Sequence, residues 1–362
     1  MPTPSNAPAT STGENEVQDP VLFAELTERQ AMPQTTTTIK GMAKKQRLQV
    51  EKVGVISRVR LQIKWKFKTK AASKPVLNPG FPYKMLAELA MQANGVTGII
   101  DCSAMTLAQR RDRVYRNPTT AIENGPAAGT TLEAAKSYEG TFVVEVPIAH
   151  DMESLIGSLL AQNEETNLSF LLTWASEAEM MHSGEIEGFE GEIVWGSTVF
   201  SIGSTVVGKK EMTVLPDLSA FHGITEQEPN LNGTGNQKIE LTRTEGQLLC
   251  LTFAILNKAG GQATLKPQEL TKIQLEYGGN KDPLVWLPAS ELIEENADDY
   301  NGALSPGGVQ FAAIDNERDN SHRDMIIPAD LVEFRAVLGV PTSFTPEEAR
   351  TLVASETLYP AV

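Results

Sequence analysis

The sequence predicts an all-β protein built from two similar modules, and three observations indicate this. The chain of 362 residues has 28 Gly and 21 Pro, so its apolar runs are short and separated by turn residues. Strand-like runs with alternating or continuous apolar residues recur along its whole length. Each half also repeats one order of elements, in which a single helix interrupts a series of strands.

The N-terminal segment is expected to contain little structure before one short helix. Residues 1–18 lack the basic and apolar regions of a secretory signal and read as a disordered arm. Asp19 is placed as a helix N-cap with Pro20 at the first helical position, which predicts an amphipathic helix over residues 21–31 that ends before Pro33. Residues 19–50 therefore form a helix and an extended basic segment.

SRVRLQIKWKFKTK, residues 57–70, is the clearest strand. Its apolar residues share one parity and its basic residues the other, so one face lies in a core and the other faces outward. Eleven Lys or Arg and one acid, Glu51, lie from Lys40 to Lys70, in a chain whose net charge is −15. This basic band could meet an anionic membrane or an acidic patch of a neighbouring copy. A dedicated nucleic-acid role is disfavoured because the remainder of the chain is acidic.

The two modules divide near residues 208–215, giving a first module over residues 51–208 and a second over residues 209–344. Further strands are expected at IIDCSA, TFVVEVPI, LSFLLTWA and EIVWGSTVFSIGSTVV in the first half, and at EMTVLPDL, QKIELTR, QLLCLTFAILN, TKIQLEYG, PLVWL and GVQFAAID in the second. The inserted helices are HDMESLIGSLLAQ and PASELIEENA. Residues 345–362 begin with a capping box, Thr345 to Glu348, and predict a helical tail.

QLLCLTFAILN, residues 247–257, is apolar on both faces. Because a two-sheet sandwich leaves the outer face of each sheet in water, something must cover this strand from outside. The cover is the other module or another subunit, which favours an oligomer. The outer-face residues that would lie at this subunit or module interface are Leu248, Cys250, Ala254 and Leu256.

Each candidate catalytic or metal-binding motif in this sequence lacks a residue or spacing that its chemistry requires. GSTVVGKK resembles a phosphate-binding loop, but Lys210 replaces the hydroxyl that holds Mg²⁺ and a strand follows instead of a helix. The glutamates of GEIEGFEGEIVW are interpreted as solvated loop residues, with a loose Ca²⁺ site as the alternative. Four scattered His and two Cys without metal spacing indicate no zinc, and both thiols are expected to be free with Cys250 buried. We expect no enzyme activity and no cofactor.

Several passages resemble the major capsid protein of tectiviruses, a family of tailless phages with an internal membrane. VGVISRVRLQIKW resembles the opening strand of the family's first roll, and TFVVEVPIAHDMESLIGSLLAQNEETNLSFLLTW a later passage of that roll. LPDLSAFHGI resembles the entry into the second roll, and PASELIEENADDYNGALSPGGVQFAAIDNERDN its helix and final strands. The similarity spans roughly residues 20 to 340.

The resemblance implies a double jelly roll: two eight-stranded antiparallel sandwiches, a short N-terminal helix and one inserted helix per roll. It implies a virion protein that assembles in the host cytoplasm as homotrimeric, pseudo-hexagonal tiles of a shell, with vertex and minor capsid proteins as further partners. The basic face of the strand at residues 58–68 would meet an acidic neighbour or the inner side of the shell. The residues expected near lipid headgroups or neighbouring tiles are Leu22, Leu26, Lys40, Lys44, Lys45 and Arg47.

A carbohydrate-binding or carbohydrate-cleaving β-sandwich remains the alternative, since such proteins share jelly-roll architecture. That function would need exposed aromatic side chains. All four Trp lie in strand-like runs, where burial in a core is more usual.

Overall fold

The computed structural model describes most of the chain. The described ranges are residues 10–13, 16–31, 35–78, 80–93, 96–115, 124–150, 155–161, 167–207, 209–231, 233–257, 265–278, 283–299, 310–315, 326–344 and 349–360.

The N-terminal segment is more structured than the sequence predicts. It contains β1 Thr10–Gly13, β2 Glu16–Gln18, α1 Pro20–Leu26 and β3 Arg29–Ala31. The expectation of a disordered arm is therefore wrong for the described part of residues 1–18. Asp19 Oδ1 accepts a hydrogen bond of 3.1 Å from the Val21 N–H, as the predicted N-cap requires. The helix ends five residues earlier than expected, because β3 pairs with a strand of the first module.

The first module is a sandwich of two antiparallel four-stranded sheets, with shorter elements at its margins. Its elements in chain order are β4 Thr35–Lys40, β5 Lys45–Gln49, β6 Val55–Thr69, β7 Val76–Leu77, β8 Leu86–Ala93, β9 Val96–Cys102, α2 Ala104–Tyr115, β10 Ser137–Pro147, β11 Leu159–Leu160, β12 Leu168–Trp174, α3 Glu177–Met180, β13 Met181–Ser183 and β14 Ile186–Phe200. The outer sheet has the order β10-β6-β14-β4, and the facing strands are β9-β8-β12-β5.

A hairpin links the modules. It consists of β15 Gly203–Val207 and β16 Lys210–Leu215, which pair with each other. β16 also pairs in parallel with β2, so that β1, β2, β16 and β15 form a separate four-stranded sheet. The interpretation of GSTVVGKK as strand and turn, and not as a phosphate-binding loop, is thus confirmed.

The second module is also built from two antiparallel four-stranded sheets. Its elements are β17 Ala220–Gln227, β18 Gly235–Glu240, β19 Gln247–Asn257, β20 Lys272–Glu276, β21 Leu284–Trp286, α4 Ser290–Asp299, β22 Gln310–Asp315, β23 Arg335–Val340 and β24 Ala349–Pro360. One sheet has the order β18-β23-β20-β21 and the other β22-β19-β24-β17. The predicted helix PASELIEENA corresponds to α4.

The C-terminal segment corrects a prediction. Residues 349–360 form strand β24, which pairs with β19 on one side and β17 on the other. The expected helical tail is therefore wrong for these residues, and the second module extends to the end of β24. A central strand satisfies its backbone groups on both edges, which a short exposed helix could not do as completely.

The inserted helix of the first module also lies elsewhere than expected. Within HDMESLIGSLLAQ, residues 155–161 form a turn and strand β11, which pairs with β6, while residues 151–154 lie outside the described residues. The helix is instead α2, which follows β9 directly. Ser103 caps it by accepting a hydrogen bond of 3.3 Å from the Thr106 N–H.

One continuous sheet joins the two modules. β17 of the second module pairs in parallel with β9 of the first, at Ile224 with Ile100 and at Thr225 with Asp101, which makes an eight-stranded sheet. Two large clusters of buried apolar side chains form the cores, one in each sandwich. The first cluster also contains second-module side chains, namely Ile224, Ala254, Leu256 and Leu352. The modules therefore share a core.

Candidate functional site

The outer face of the β10-β6-β14-β4 sheet is a ladder of opposite charges. Along β6, Val59, Leu61 and Ile63 point into the core while the basic side chains face outward. Cross-strand register places acidic residues of β14 beside them, with Glu190 opposite Lys66 and Glu192 opposite Lys64. Side chains directly opposite in neighbouring strands are close enough to interact.

Ion pairs connect these two stripes. The distance from Lys64 Nζ to Glu192 is 2.8 Å, and that from Lys66 Nζ to Glu190 is also 2.8 Å. Further pairs are Lys68 with Glu187 at 3.8 Å, Lys40 with Glu190 at 3.6 Å, Arg58 with Glu145 at 3.4 Å, and Lys70 with Glu185. The carboxylate of Glu190 raises the pKa of Lys66, and Lys66 lowers the pKa of Glu190.

These pairs bear on two expectations. The basic face of β6 pairs with acidic side chains of its own sheet, and its contact with an acidic neighbour or the inner side of the shell stays a prediction. The glutamates of GEIEGFEGEIVW lie mostly in β14, and not in solvated loops. Antiparallel pairing brings the two oppositely charged segments together although they lie more than a hundred residues apart, which spacing along the sequence does not reveal.

The other predicted basic contacts lie at the corner between β4 and β5. Lys40 belongs to β4 and pairs with Glu190, as described above. Lys44 and Lys45 are exposed, and Lys44 Nζ donates to the carbonyl oxygen of Lys40. Arg47 lies on β5 and donates to Ser169 Oγ and Gln92 Oε1, each at 3.0 Å. Arg47 thus binds its own sheet, while the two lysines face solvent.

Helix α1 is anchored by a residue that the sequence reasoning missed. Phe23 is 1% exposed and packs in a small cluster with Val55 and Val214. Its ring centroid lies 6.2 Å from that of Phe200. Leu26, predicted as a membrane or neighbour contact, is 41% exposed. Leu22 lies in the same helix, and its side chain is outside the described residues.

The residues on either side of the β15–β16 turn are exposed. At the base of the hairpin, a Cβ added to Gly203 would lie 3.0 Å from Leu26 Cβ, so the backbone closely approaches α1 there. Val206 and Val207 are 69% and 58% exposed. Lys209 and Lys210, which follow the two valines, are exposed as well.

The predicted interface residues of β19 divide between the two cores. Ala254 and Leu256 belong to the first cluster, so the other module covers this part of the strand. Leu248 instead belongs to the core of the second module, because a bulge between Leu248 and Cys250 shifts the register. Cys250 is buried, as expected, and neither Cys102 nor Cys250 forms a disulfide. Since one chain covers both faces of β19, this strand gives no argument for an oligomer.

Helix α2 joins the modules through charges that the sequence reasoning did not find. Glu356 of β24 is buried and accepts from Arg110 Nε at 2.7 Å and from Arg113 Nη2. His222 of β17 is fully buried, with Nε2 3.4 Å from the same carboxylate. The Arg-rich run AMTLAQRRDRVY is the part of this charge cluster that is visible in the sequence. Its acidic partner, Glu356, lies some 240 residues later.

A second carboxylate holds the start of α2. Glu226 Oε2 accepts from the Ser103 N–H at 2.9 Å, from Ser103 Oγ at 3.0 Å and from Thr106 Oγ1 at 2.5 Å. Burial raises the pKa of Glu226. Burial acts in the same direction on Glu356, but Arg110 and Arg113 outweigh it and hold the pKa of Glu356 well below its usual range. Burial lowers the pKa of His222.

Other kinds of site have little support. Among the described residues, no group of three or more His, Cys, Asp or Glu could hold a metal ion. No described helix is long and apolar enough to cross a membrane. Trp65, Trp174 and Trp195 are buried, and Trp286 is half-buried against the second core. These four rings therefore offer no exposed platform for a sugar.

No protein-family model matches the sequence, and no curated protein matches it. The fold, however, is shared with chains of solved virus structures. A chain in the atomic structure of Sulfolobus Turreted Icosahedral Virus has a TM-score of 0.64 and 13% identity, covering 92% of this chain and 91% of that one. For the PBCV-1 virus capsid the TM-score is 0.58 at 9% identity, covering 92% and 93%. For the Faustovirus major capsid protein it is 0.52 at 8% identity, covering 92% and 90%. This likeness confirms the expected double jelly roll.

Proposed function

We propose that the chain is a viral major capsid protein that assembles as homotrimeric tiles and has no enzymatic activity. The observation that carries this proposal is the pair of sandwiches joined by one eight-stranded sheet. The structural similarity to a chain of Sulfolobus Turreted Icosahedral Virus and to the PBCV-1 virus capsid covers 92% of this chain in each case. Three chains would bring six rolls together in a pseudo-hexagonal tile.

An exposed apolar edge supports self-association. Strand β21 is the last strand of the sheet β18-β23-β20-β21. Leu284 and Val285 on this strand are 44% and 46% exposed, and Leu287 just after it is 65% exposed. Exposed apolar side chains at a sheet edge favour contact with another chain. A second copy that covers this edge would bury them.

The finer parts of the proposal concern the shell. We place the tiles around an internal membrane in the virion, as in the tectivirus-type proteins that the sequence resembles, with assembly in the host cytoplasm. Vertex and minor capsid proteins would be further partners. The solvent-facing Lys44 and Lys45 are available to lipid headgroups or neighbouring tiles. Neutralisation of the basic face of β6 by glutamates argues against a specific nucleic-acid role.

The test is the mass of the purified chain in solution. We expect light scattering coupled to size exclusion to give three times the 39.3 kDa of one chain at neutral pH. Replacing Leu284 and Leu287 by Asp should weaken the trimer and leave the circular dichroism spectrum unchanged. Val332→Asp, at a site 72% exposed outside that edge, is the matched control and should remain trimeric. A wild-type monomer at micromolar concentration would exclude the tile.

A further inference from the structure

The β15–β16 hairpin exposes an apolar pair next to a basic pair. Val206 and Val207 have exposures of 69% and 58%, among the highest of the described large apolar side chains. Lys209 and Lys210 follow immediately. Along the described chain neither of these lysines makes an ion pair, whereas Lys64, Lys66 and Lys68 on β6 each do. The hairpin is thus a site of unneutralised positive charge on a chain with a net charge of −15.

The hairpin is also held firmly at its base. β15 and β16 pair over five residue pairs, from Gly203 with Val214 to Val207 with Lys210. Val214 is fully buried and packs in the same small cluster as Phe23 of α1. Ser204 Oγ donates to Glu211 Oε1 at 2.8 Å, which engages the acidic side chain nearest the tip. Strand pairing, the buried Val214 and the Ser204–Glu211 hydrogen bond therefore fix the position of the hairpin.

Helix α1 packs against the hairpin and carries exposed apolar side chains of its own. Val21 is 71% exposed and Leu26 41% exposed, while Phe23 between them fixes the helix to the protein. α1 contacts both strands of the hairpin. Helix and hairpin are therefore neighbouring elements that both carry exposed apolar side chains.

We propose that this hairpin tip docks on an anionic lipid surface, with Val206 and Val207 at the boundary of headgroups and acyl chains and with Lys209 and Lys210 on lipid phosphates. Apolar side chains flanked by lysines match the chemistry of such an interface. A symmetric contact between two copies through this tip would instead bring four lysines together, which like-charge repulsion disfavours. The inference rests on the proposed function, since it names the residues that face the internal membrane.

The experiment is flotation of the full-length protein with vesicles of phosphatidylcholine alone or mixed with phosphatidylglycerol. We expect binding to the anionic vesicles that weakens as salt is raised. Changing Lys209 and Lys210 together to Gln should lower the partition coefficient roughly thirtyfold. Changing Val206 and Val207 together to Ser should lower it roughly tenfold or more on either vesicle.

Matched controls separate the tip from general surface chemistry. Val332→Ser with Ile327→Ser removes two exposed apolar side chains outside the hairpin and β21, and Lys74→Gln with Lys238→Gln removes two exposed charges outside the hairpin and the β4–β5 corner. Both controls should bind vesicles like the wild type. Equal binding by the tip variants and the wild type, or no binding by a wild type that forms trimers, would overturn the inference.

Two other outcomes distinguish this inference from the proposed function. If the tip variants bind vesicles normally but no longer form closed particles, the tip docks on another copy of the chain and the lipid assignment is wrong. If the wild type is a monomer, the proposed tile fails. In that case the docking of the tip is still decided by the comparison of tip and control variants on anionic vesicles.

Discussion

At the scale of single residues, buried and exposed charges contribute very differently in this protein. The Lys66–Glu190 pair lies on an exposed face, where solvent screens the attraction and the pair contributes little to stability. Glu356 lies at the junction of the two modules. Its side chain is 6% exposed and contacts two arginines and one histidine. Removing one partner of such a buried group is costly, because the remaining charges are then less well compensated.

We therefore expect Glu356→Gln to be strongly destabilising. The neutral amide keeps the size of the side chain but leaves the Arg110 and Arg113 guanidinium groups buried against a weaker acceptor. The free energy of unfolding should fall by about 3–5 kcal/mol, measured by urea titration at pH 7. Glu190→Gln on the exposed face of the outer sheet is the control and should leave the urea midpoint nearly unchanged. Equal losses for the two variants would contradict this account of the junction.

The buried His222 should make stability depend on pH in the weakly acidic range. Its folded-state pKa lies below the ordinary 6.5 because burial disfavours the charged form, despite the opposing effect of Glu356. Below pH 6.5 the unfolded chain binds this proton more readily than the folded chain does. The contribution of His222 is thus present above pH 6.5 and is lost as pH falls towards the folded-state pKa. The depressed pKa of Glu356 acts in the same direction, but only below about pH 4.5.

Urea titrations at pH 7.5 and pH 5.5 test this dependence. We expect the free energy of unfolding to be lower at pH 5.5, and the difference to shrink in His222→Asn. His182→Asn, at an exposed position, should leave the difference unchanged. An unaltered pH dependence in the His222 variant would show that other groups cause it.

At the scale of elements, the C-terminal strand is the part whose removal should matter most. β24 lies between β19 and β17, and Val353 and Leu352 pack into the second and first cores respectively. A chain that ends after Phe344 would expose both neighbouring strand edges and open both cores. We expect this truncated protein to lose cooperative folding by circular dichroism and to aggregate.

A peptide of residues 345–362, added to the truncated protein, provides a second and more specific test of the role of β24. If β24 is a structural strand, the peptide added during refolding should restore soluble, folded protein. If the segment instead serves only to contact a neighbouring tile, the truncated chain should fold on its own and lose only assembly. That result would contradict the strand assignment.

Elements with a strict alternation of side chains were predictable from the sequence. The alternation from Val59 to Phe67 identified β6, its inward face and its outward charge. Helical spacing failed in residues 155–161, where long-range contacts decide the conformation. Gly157 there has φ +86°, and a Cβ added to it would lie 2.8 Å from His222 Cβ. A helix would not allow that approach of the backbone, so tertiary packing overrides the local preference.

The candidate contact residues were predictable only in part, because strand pairing is not visible in a single sequence. Composition showed the basic band, but the glutamates that neutralise it come from β14, far along the chain. The apolar pair in GSTVVGKK was visible in the sequence, whereas its exposure became apparent only in the folded hairpin. The capping-box residues Thr345 to Glu348 lie outside the described residues, and the strand after them is fixed by pairing on both edges.

At the scale of the whole molecule, the rolls should unfold as one unit. Their connection is a continuous sheet, a buried charge cluster around α2 and an apolar cluster that takes side chains from both modules. Separating the rolls would expose Ile224, Ala254 and Leu256 to water, at a cost of roughly 25 cal/mol for each Å² of apolar surface. An independent transition for each roll is therefore disfavoured.

The two cysteines can report on each roll separately. Cys102 lies in β9 of the first roll and Cys250 in β19 of the second, and both are buried thiols outside any disulfide. In the variants Cys250→Ala and Cys102→Ala, the remaining thiol should become reactive at the denaturant concentration where that variant loses its circular dichroism signal. Protein concentration is held constant, because dissociation of an oligomer contributes to the transition. If one thiol reacts well below the dichroism midpoint while the other does not, the rolls are separate folding units. The shared core would then be too weak to couple them.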